Sequence, residues 1–124
     1  MKKTQLILFS FILLMSFSSC DKVKPVSTLA GKWRLTHTLS DPGDGSGRWM
    51  QANSERYLIF NQDKTLSGDQ GTQYKSYTII DDSKIEFTLQ NNAKTTSFYK
   101  IVSGSLELMH SCIEACGSRY IKAN

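Results

Sequence analysis

The sequence predicts an all-β domain, a small antiparallel up-and-down β-barrel of about eight short strands. Three observations carry that prediction. Apolar and polar residues alternate with a period of two along most segments of the chain. Clusters of Gly, Pro, Asn, Asp and Ser punctuate those segments at near-regular spacing. No segment carries a helical apolar stripe of useful length.

The elements follow in order. In "GKWRLTHTL", Trp33, Leu35, His37 and Leu39 alternate with Lys32, Arg34, Thr36 and Thr38, which places the first four on one face of a strand. "DPGDGSG", Asp41 to Gly47, is a loop with nothing to pack. "ERYLIF", Glu55 to Phe60, is the second strand, and "NQDK" turns it into a short third at Thr65 and Leu66. "QYKSYTII", Gln73 to Ile80, is the fourth, and "DDS" leads to "KIEFTLQ", where Ile85, Phe87 and Leu89 face one way. "TTSFYKIV", Thr95 to Val102, follows the loop "QNNAK". Ser103 and Gly104 form a tight-turn signal before "SLELMH", and "SRYIK" is the last strand. A small antiparallel sheet removes its edges best by closing on itself. Eight strands enclose room for side chains or one small ligand, and strands this short favour a shallow or largely filled interior.

The chain opens with "MKKTQLILFSFILLMSFSSC". Lys2 and Lys3 precede an uncharged apolar run from Leu6 to Phe17, which is too short to span a bilayer, a task needing about 20 residues. This is the layout of a secretory signal peptide over residues 1–19. Ser18, Ser19 and Cys20 at its end resemble a bacterial lipobox, with Phe17 where the usual pattern has Leu. That resemblance implies cleavage before Cys20 and lipid on its sulfur and new amino group. Several acyl chains anchor stably where one does not. Residues 20–28 then read as a lipidated N-terminus and polar tether, and residues 29–124 as one domain. The expected location is the cell envelope, with the outer membrane favoured over the inner. The whole chain carries a formal charge of +4, which falls when Lys2 and Lys3 leave. No Lys/Arg cluster follows, so nucleic-acid binding has no support.

At "LAGKW", Leu29 to Trp33, a Gly-x-Trp stands at the first strand of a β meander. This resembles lipocalins and other calycins. The chain is more closely similar to the small lipocalin-like lipoproteins of bacteria with two membranes. The similarity rests on the loop "DPGDGSG", the turn pattern F-x-x-D-x-T at Phe60 to Thr65, and a "CIEGC"-like segment at Cys112 to Cys116 with Ala115 in place of Gly. It covers nearly the whole mature chain and implies a fold and a location rather than a mechanism. In calycins a basic side chain from near the C-terminus covers the signature Trp. The resemblance therefore implies a structural signature of Gly31, Trp33 and Arg119. A guanidinium over an indole contributes about 0.5–2 kcal/mol. The alternative is that Arg119 is a solvated strand residue.

The cysteines do not read as redox or metal chemistry. Cys112 and Cys116 enclose three residues rather than the two of a thioredoxin-like motif. A zinc site would need His110, Cys112, Cys116 and a remote His37, where structural sites normally offer two knuckles. With Cys20 taken by lipid, a disulfide across a hairpin in an oxidising space is the expected pairing of Cys112 with Cys116. His37 and His110 both share faces with apolar residues, so both are expected to point inward. They form either a polar pair in a pocket or two strand-end residues at the barrel mouth, and the routine polarity of strand ends favours the second. With Trp49 and Tyr74, which lie beside loops, they make up the candidate ligand mouth. Asp41 and Asp44 lack the spacing of a calcium loop, and no nucleophile elbow, P-loop or zinc-protease motif is present. No catalytic residue, cofactor or metal is expected. The leading expectation is a monomeric, lipid-anchored, non-enzymatic barrel that binds a small or apolar ligand. The alternative is a surface interaction or inhibitor module with a filled interior, working through residues 41–53 and 111–117.

Overall fold

The computed structural model describes residues 28 to 124, and the expected leader, Cys20 and the tether up to residue 27 lie outside them. The described residues form strands β1 (Gly31–Ser40), β2 (Arg48–Gln51), β3 (Tyr57–Phe60), β4 (Leu66–Ser67), β5 (Tyr74–Ile79), β6 (Lys84–Leu89), β7 (Lys94–Val102), β8 (Ser105–Met109) and β9 (Cys116–Lys122). Every pairing is antiparallel, and the order around the sheet is β4-β3-β1-β9-β8-β7-β6-β5, with β2 also paired to β1. β2 and β3 lie end to end on the same flank of β1, opposite Ser40 to His37 and Arg34 to Gly31 respectively. They fill one strand position, so nine strands occupy eight positions. The first and last strands close the meander through a long ladder from Trp33↔Lys122 to Ser40↔Cys116. The remaining seam, between β4 and β5, is bridged only at Thr65↔Ser76. The Tyr77 amide donates to the Lys64 carbonyl there at 2.9 Å, and the Tyr77 hydroxyl to the Asn61 carbonyl at 3.0 Å. The result is an all-β, nearly closed, up-and-down barrel, consistent with a calycin-like fold.

All eight expected segments are strands; β2 was not expected, because "RWMQ" is four residues long and follows a Gly-rich loop with no apolar alternation of its own. Short turns, at residues 61–65, 80–83 and 103–104, gather at one end of the barrel, together with Thr28 and the C-terminus. We term this the hairpin end. The longer loops, residues 41–47, 68–73, 90–93 and 110–115, gather at the other, the loop end.

The interior is filled mainly by large side chains. Trp33, Phe60, Leu58, Phe87, Ile85, Leu106 and Leu108 are fully buried, with Leu35, Tyr77 and Tyr120 nearly so. Phe60 meets Tyr77 edge-on at 5.0 Å, and Tyr74 stacks on Phe87 at 4.5 Å. Each such side chain contributes about 1.5–3 kcal/mol by leaving water. Burial of the Tyr120 phenol pushes its pKa up to about 12.

Two irregularities decide which residues face this core: β5 shifts register against β6 between Tyr74 and Ser76, so that Tyr74 and Tyr77 are both buried, and β1 shifts against β9. The β1–β9 register steps by one residue between Leu35 and His37. Thr36 is the extra residue of a β-bulge, and its hydroxyl donates to the Arg119 carbonyl at 3.0 Å. Directly opposed residues share a face. Before the bulge Leu35 opposes buried Tyr120, whereas after it His37 opposes Arg119 and Leu39 opposes Gly117. His37 and Leu39 therefore point outward, and the expected inward face of four residues ends at Leu35. Opposite the bulge the chain between β2 and β3 loops out, with Leu35 N–H donating to the Arg56 carbonyl and Ala52 N–H to the Thr36 carbonyl, both at 2.8 Å.

The signature tryptophan is covered by Lys122, not by Arg119. Trp33 directly opposes Lys122, whose Nζ lies 4.4 Å from the indole centroid. The Trp33 indole N–H donates to the Leu29 carbonyl at 2.7 Å, and Lys122 donates to the carbonyls of Thr28 and Ala30. Gly31, at φ +117°, leaves the space: a Cβ there would stand 2.8 Å from Lys122 Nζ. Arg119 has the opposite parity to Tyr120 and Lys122, so it leaves the barrel on the outside. Lys122→Met is expected to lower unfolding stability by about 0.5–2 kcal/mol and shift the emission of Trp33, whereas Arg119→Met leaves Trp33 unchanged. Denaturant titrations followed by fluorescence, in a Trp49→Phe background, check this, and the reverse pattern contradicts it.

Candidate functional site

The outward turn of β1 after its bulge builds two cross-strand rows on the outside of the barrel. One runs Phe98, Met109, Gly117, Leu39, Trp49 across β7, β8, β9, β1 and β2. The next runs Lys100, Glu107, Arg119, His37, Gln51 across the same strands. The first row is apolar and the second charged or polar. Arg119 joins them. Its Nε donates to Glu107 Oε2 at 2.7 Å, and its guanidinium lies 3.8 Å from the Trp49 ring centroid. The ion pair is more than a third exposed on both sides, so it adds little stability by itself. Its effect is to fix the guanidinium in the plane that the indole covers.

Gly117 makes the apolar row possible. A Cβ at that position would stand 2.7 Å from Met109 Sδ, 2.8 Å from the Leu108 carbonyl oxygen and 3.1 Å from the Trp49 ring. The indole thus lies against bare backbone, between Met109 and Arg119. Beside these rows the outer wall forms a cavity of about 570 Å³ bounded by His37, Lys100, Val102, Glu107, Arg119 and Ile121. A second, of about 410 Å³, lies on the other side of His37, where β2 breaks from β3 and Arg34, Gln51, Asn53 and Glu55 come together.

The inner side of the loop end is smaller. The space against Leu35, Thr38 and Met50 measures about 250 Å³, under the roughly 300 Å³ of ordinary ligand pockets. His110 faces inward there, with Nδ1 3.2 Å from the Oγ of fully buried Ser97. Its burial lowers the imidazole pKa. Tyr74 is buried and stacks on Phe87. The four residues expected to share a mouth are therefore separated: His37 and Trp49 stand on the outer face, His110 and Tyr74 inside.

Two loops at this end brace each other. Cys112 and Cys116 form a disulfide with Cα atoms 6.0 Å apart. His110 N–H donates to the Cys116 carbonyl at 3.1 Å, which closes the hairpin, and Asp41 N–H donates to the Ala115 carbonyl at 3.1 Å, which ties it to the Gly-rich loop. The Asp41 carboxylate in turn accepts amides from Gly43 at 2.8 Å, Gly45 at 3.2 Å and Gly47 at 3.1 Å. Those bonds, led by Gly43, hold its pKa below the usual carboxylate value. Asp41 is thus occupied as the organiser of its own loop. Among the described residues no cluster of three His, Cys, Asp or Glu side chains is placed to hold a metal ion.

No family model, curated protein or solved structure matches the chain.

Lys122, Gly117, Met109 and Phe98 were not anticipated as site residues. For Lys122 the signal was present: in "SRYIK" the apolar Tyr120 marks the inward parity, which also takes Lys122 and excludes Arg119. For the others it was not, because the outer row exists only once the bulge has reversed β1.

Two predictions follow from this geometry. Gly117→Ala is expected to cost about 1–3 kcal/mol, since a backbone oxygen blocks the methyl, and to move the Trp49 emission. A variant as stable as wild type with unchanged fluorescence contradicts the packing. Burial holds the folded His110 imidazole below its ordinary value of 6.5 in the unfolded chain. The stability it carries is therefore whole above pH 6.5 and lost as pH falls through the folded pKa. His110→Gln is expected to flatten the acid limb of the stability curve below pH 6.5. Parallel curves for the two proteins contradict a buried neutral His110.

Proposed function

We propose that this protein is a non-enzymatic interaction module of the cell envelope, held to a membrane by lipid on Cys20, that works through its outer wall and loop end. The observation that carries this reading is the partition of space. Trp33, Phe60, Phe87, Tyr74 and Tyr120 take up the interior, while a cavity of about 570 Å³ lies outside beside the Trp49–Arg119–Glu107 group. An aromatic and an arginine fixed on a strand face, next to an apolar groove, are the residue types that dominate protein contacts. Three polar side chains that could serve chemistry are committed: Glu107 to Arg119, His110 to Ser97, Asp41 to its loop. The bracing of residues 111–116 on residues 41–47 holds the rim of that surface in one shape. The family reading, a lipocalin-like lipoprotein, rests on the quoted motifs and on the Gly31–Trp33–Lys122 arrangement. It favours a monomer at the outer membrane.

A second reading, carriage of a small apolar ligand, is favoured by one observation. At the hairpin end Leu29, Tyr77, Ile79, Tyr99 and Ile101 border a cavity of about 330 Å³.

Native mass spectrometry of the protein purified from its own membrane decides between them. The interaction reading predicts the mass of the lipidated chain with no small molecule retained. A stoichiometric co-purifying compound overturns it in favour of carriage. The same sample tests the anchor: Cys20→Ser is expected to move the protein from the membrane to the soluble fraction, and a variant that stays membrane-bound contradicts lipidation.

A further inference from the structure

We propose that the hairpin end is a membrane-docking face that lies on the bilayer surface and turns the loop end outward. This rests on the reading of Cys20 as the lipidated residue. Seven residues lie between Cys20 and Thr28, so the eight steps from one to the other span at most about 29 Å at full extension. Thr28 enters the barrel at the hairpin end, where Leu29 is buried against the base. The lipid therefore tethers this end and not the other.

The same end exposes aliphatic side chains where tight turns normally carry polar ones. Ile79 and Ile80 close β5, at 44% and 53% exposed, and Val102 closes β7 at 53%. They stand on two different hairpin tips that point the same way. Lys64, Lys84 and Lys100 belong to the same turns and strands; Lys64 lies over the Tyr77 ring, Lys84 over the Phe98 ring, and Lys100 opposes Glu107. The acids of these turns, Asp63, Asp81 and Asp82, offset those lysines in charge: Asp81 accepts the Ser83 and Lys84 amides, each at 2.8 Å, and Asp63 accepts the Thr65 amide at 3.0 Å and its hydroxyl at 2.6 Å, bonds that hold both as carboxylates. Exposed aliphatic tips flanked by charged turn residues, at the tethered end, match the boundary between acyl chains and headgroups. A protein partner of the loop end would then approach from the side away from the membrane, past Cys112–Cys116 and the Gly-rich loop.

The test uses the full-length lipidated protein in vesicles of phosphatidylethanolamine and phosphatidylglycerol. An environment-sensitive dye is placed on Ile80→Cys, Val102→Cys or, at the loop end, Ser46→Cys, and quenched by brominated lipid. Flotation of each sample is measured in parallel. The proposal predicts that all float and that quenching at positions 80 and 102 exceeds that at 46 by about twofold or more, because docked side chains sit within about 5–10 Å of the acyl boundary. Protein that floats with equal or reversed quenching overturns the docking face and leaves the anchor standing. Protein that does not float overturns the anchor and the docking face with it.

Discussion

The outer rows depend on one interruption of a two-residue period, in β1. A strand alternates its side chains between two faces, and nothing within "GKWRLTHTL" marks a break. The bulge at Thr36 adds one residue to β1 relative to β9 and reverses every later side chain. Trp33 and Leu35 stay inside; His37 and Leu39 go out. Without that step His37 would enter the core in line with Leu35, and the apolar outer row would lose Leu39 at its centre. The bulge lies where β1 exchanges β3 for β2 as its neighbour, and the same residues set both events.

Energetically the inside and the outside do different work. The fully buried side chains each contribute about 1.5–3 kcal/mol, so the core dominates folding. The disulfide encloses a tiny loop, and chain-entropy arguments give it about 2 kcal/mol. The Arg119–Glu107 pair contributes about 0–1 kcal/mol at its exposure. Neither decides whether the barrel forms. Both decide the shape of a surface: one holds the hairpin at the loop end, the other orients a guanidinium under an indole. Energy placed in surface geometry rather than in the core is what a contact surface needs.

Much of the fold was legible. Period-two alternation and turn residues located the eight expected strands, because both signals are local. The pairing of Cys112 with Cys116 was legible for the same reason. What was hidden depended on register. A bulge in one strand is defined only against its neighbour, so the facing of His37, the separation of the four mouth candidates and the row through Gly117 had no local signature. The cover of Trp33 was readable but misassigned: the expectation followed charge, choosing the guanidinium, where parity chose Lys122. β2 was missed because it is strand by pairing to β1 alone.

The most direct test is a set of nuclear Overhauser contacts from the two indoles. The bulged register predicts Trp49 ring contacts to the Gly117 Hα and the Met109 methyl, and Trp33 ring contacts to the Lys122 methylenes. Contacts from the Trp33 ring to the Arg119 methylenes, with none between Trp49 and Gly117, would show an unbroken period in β1 and contradict the account.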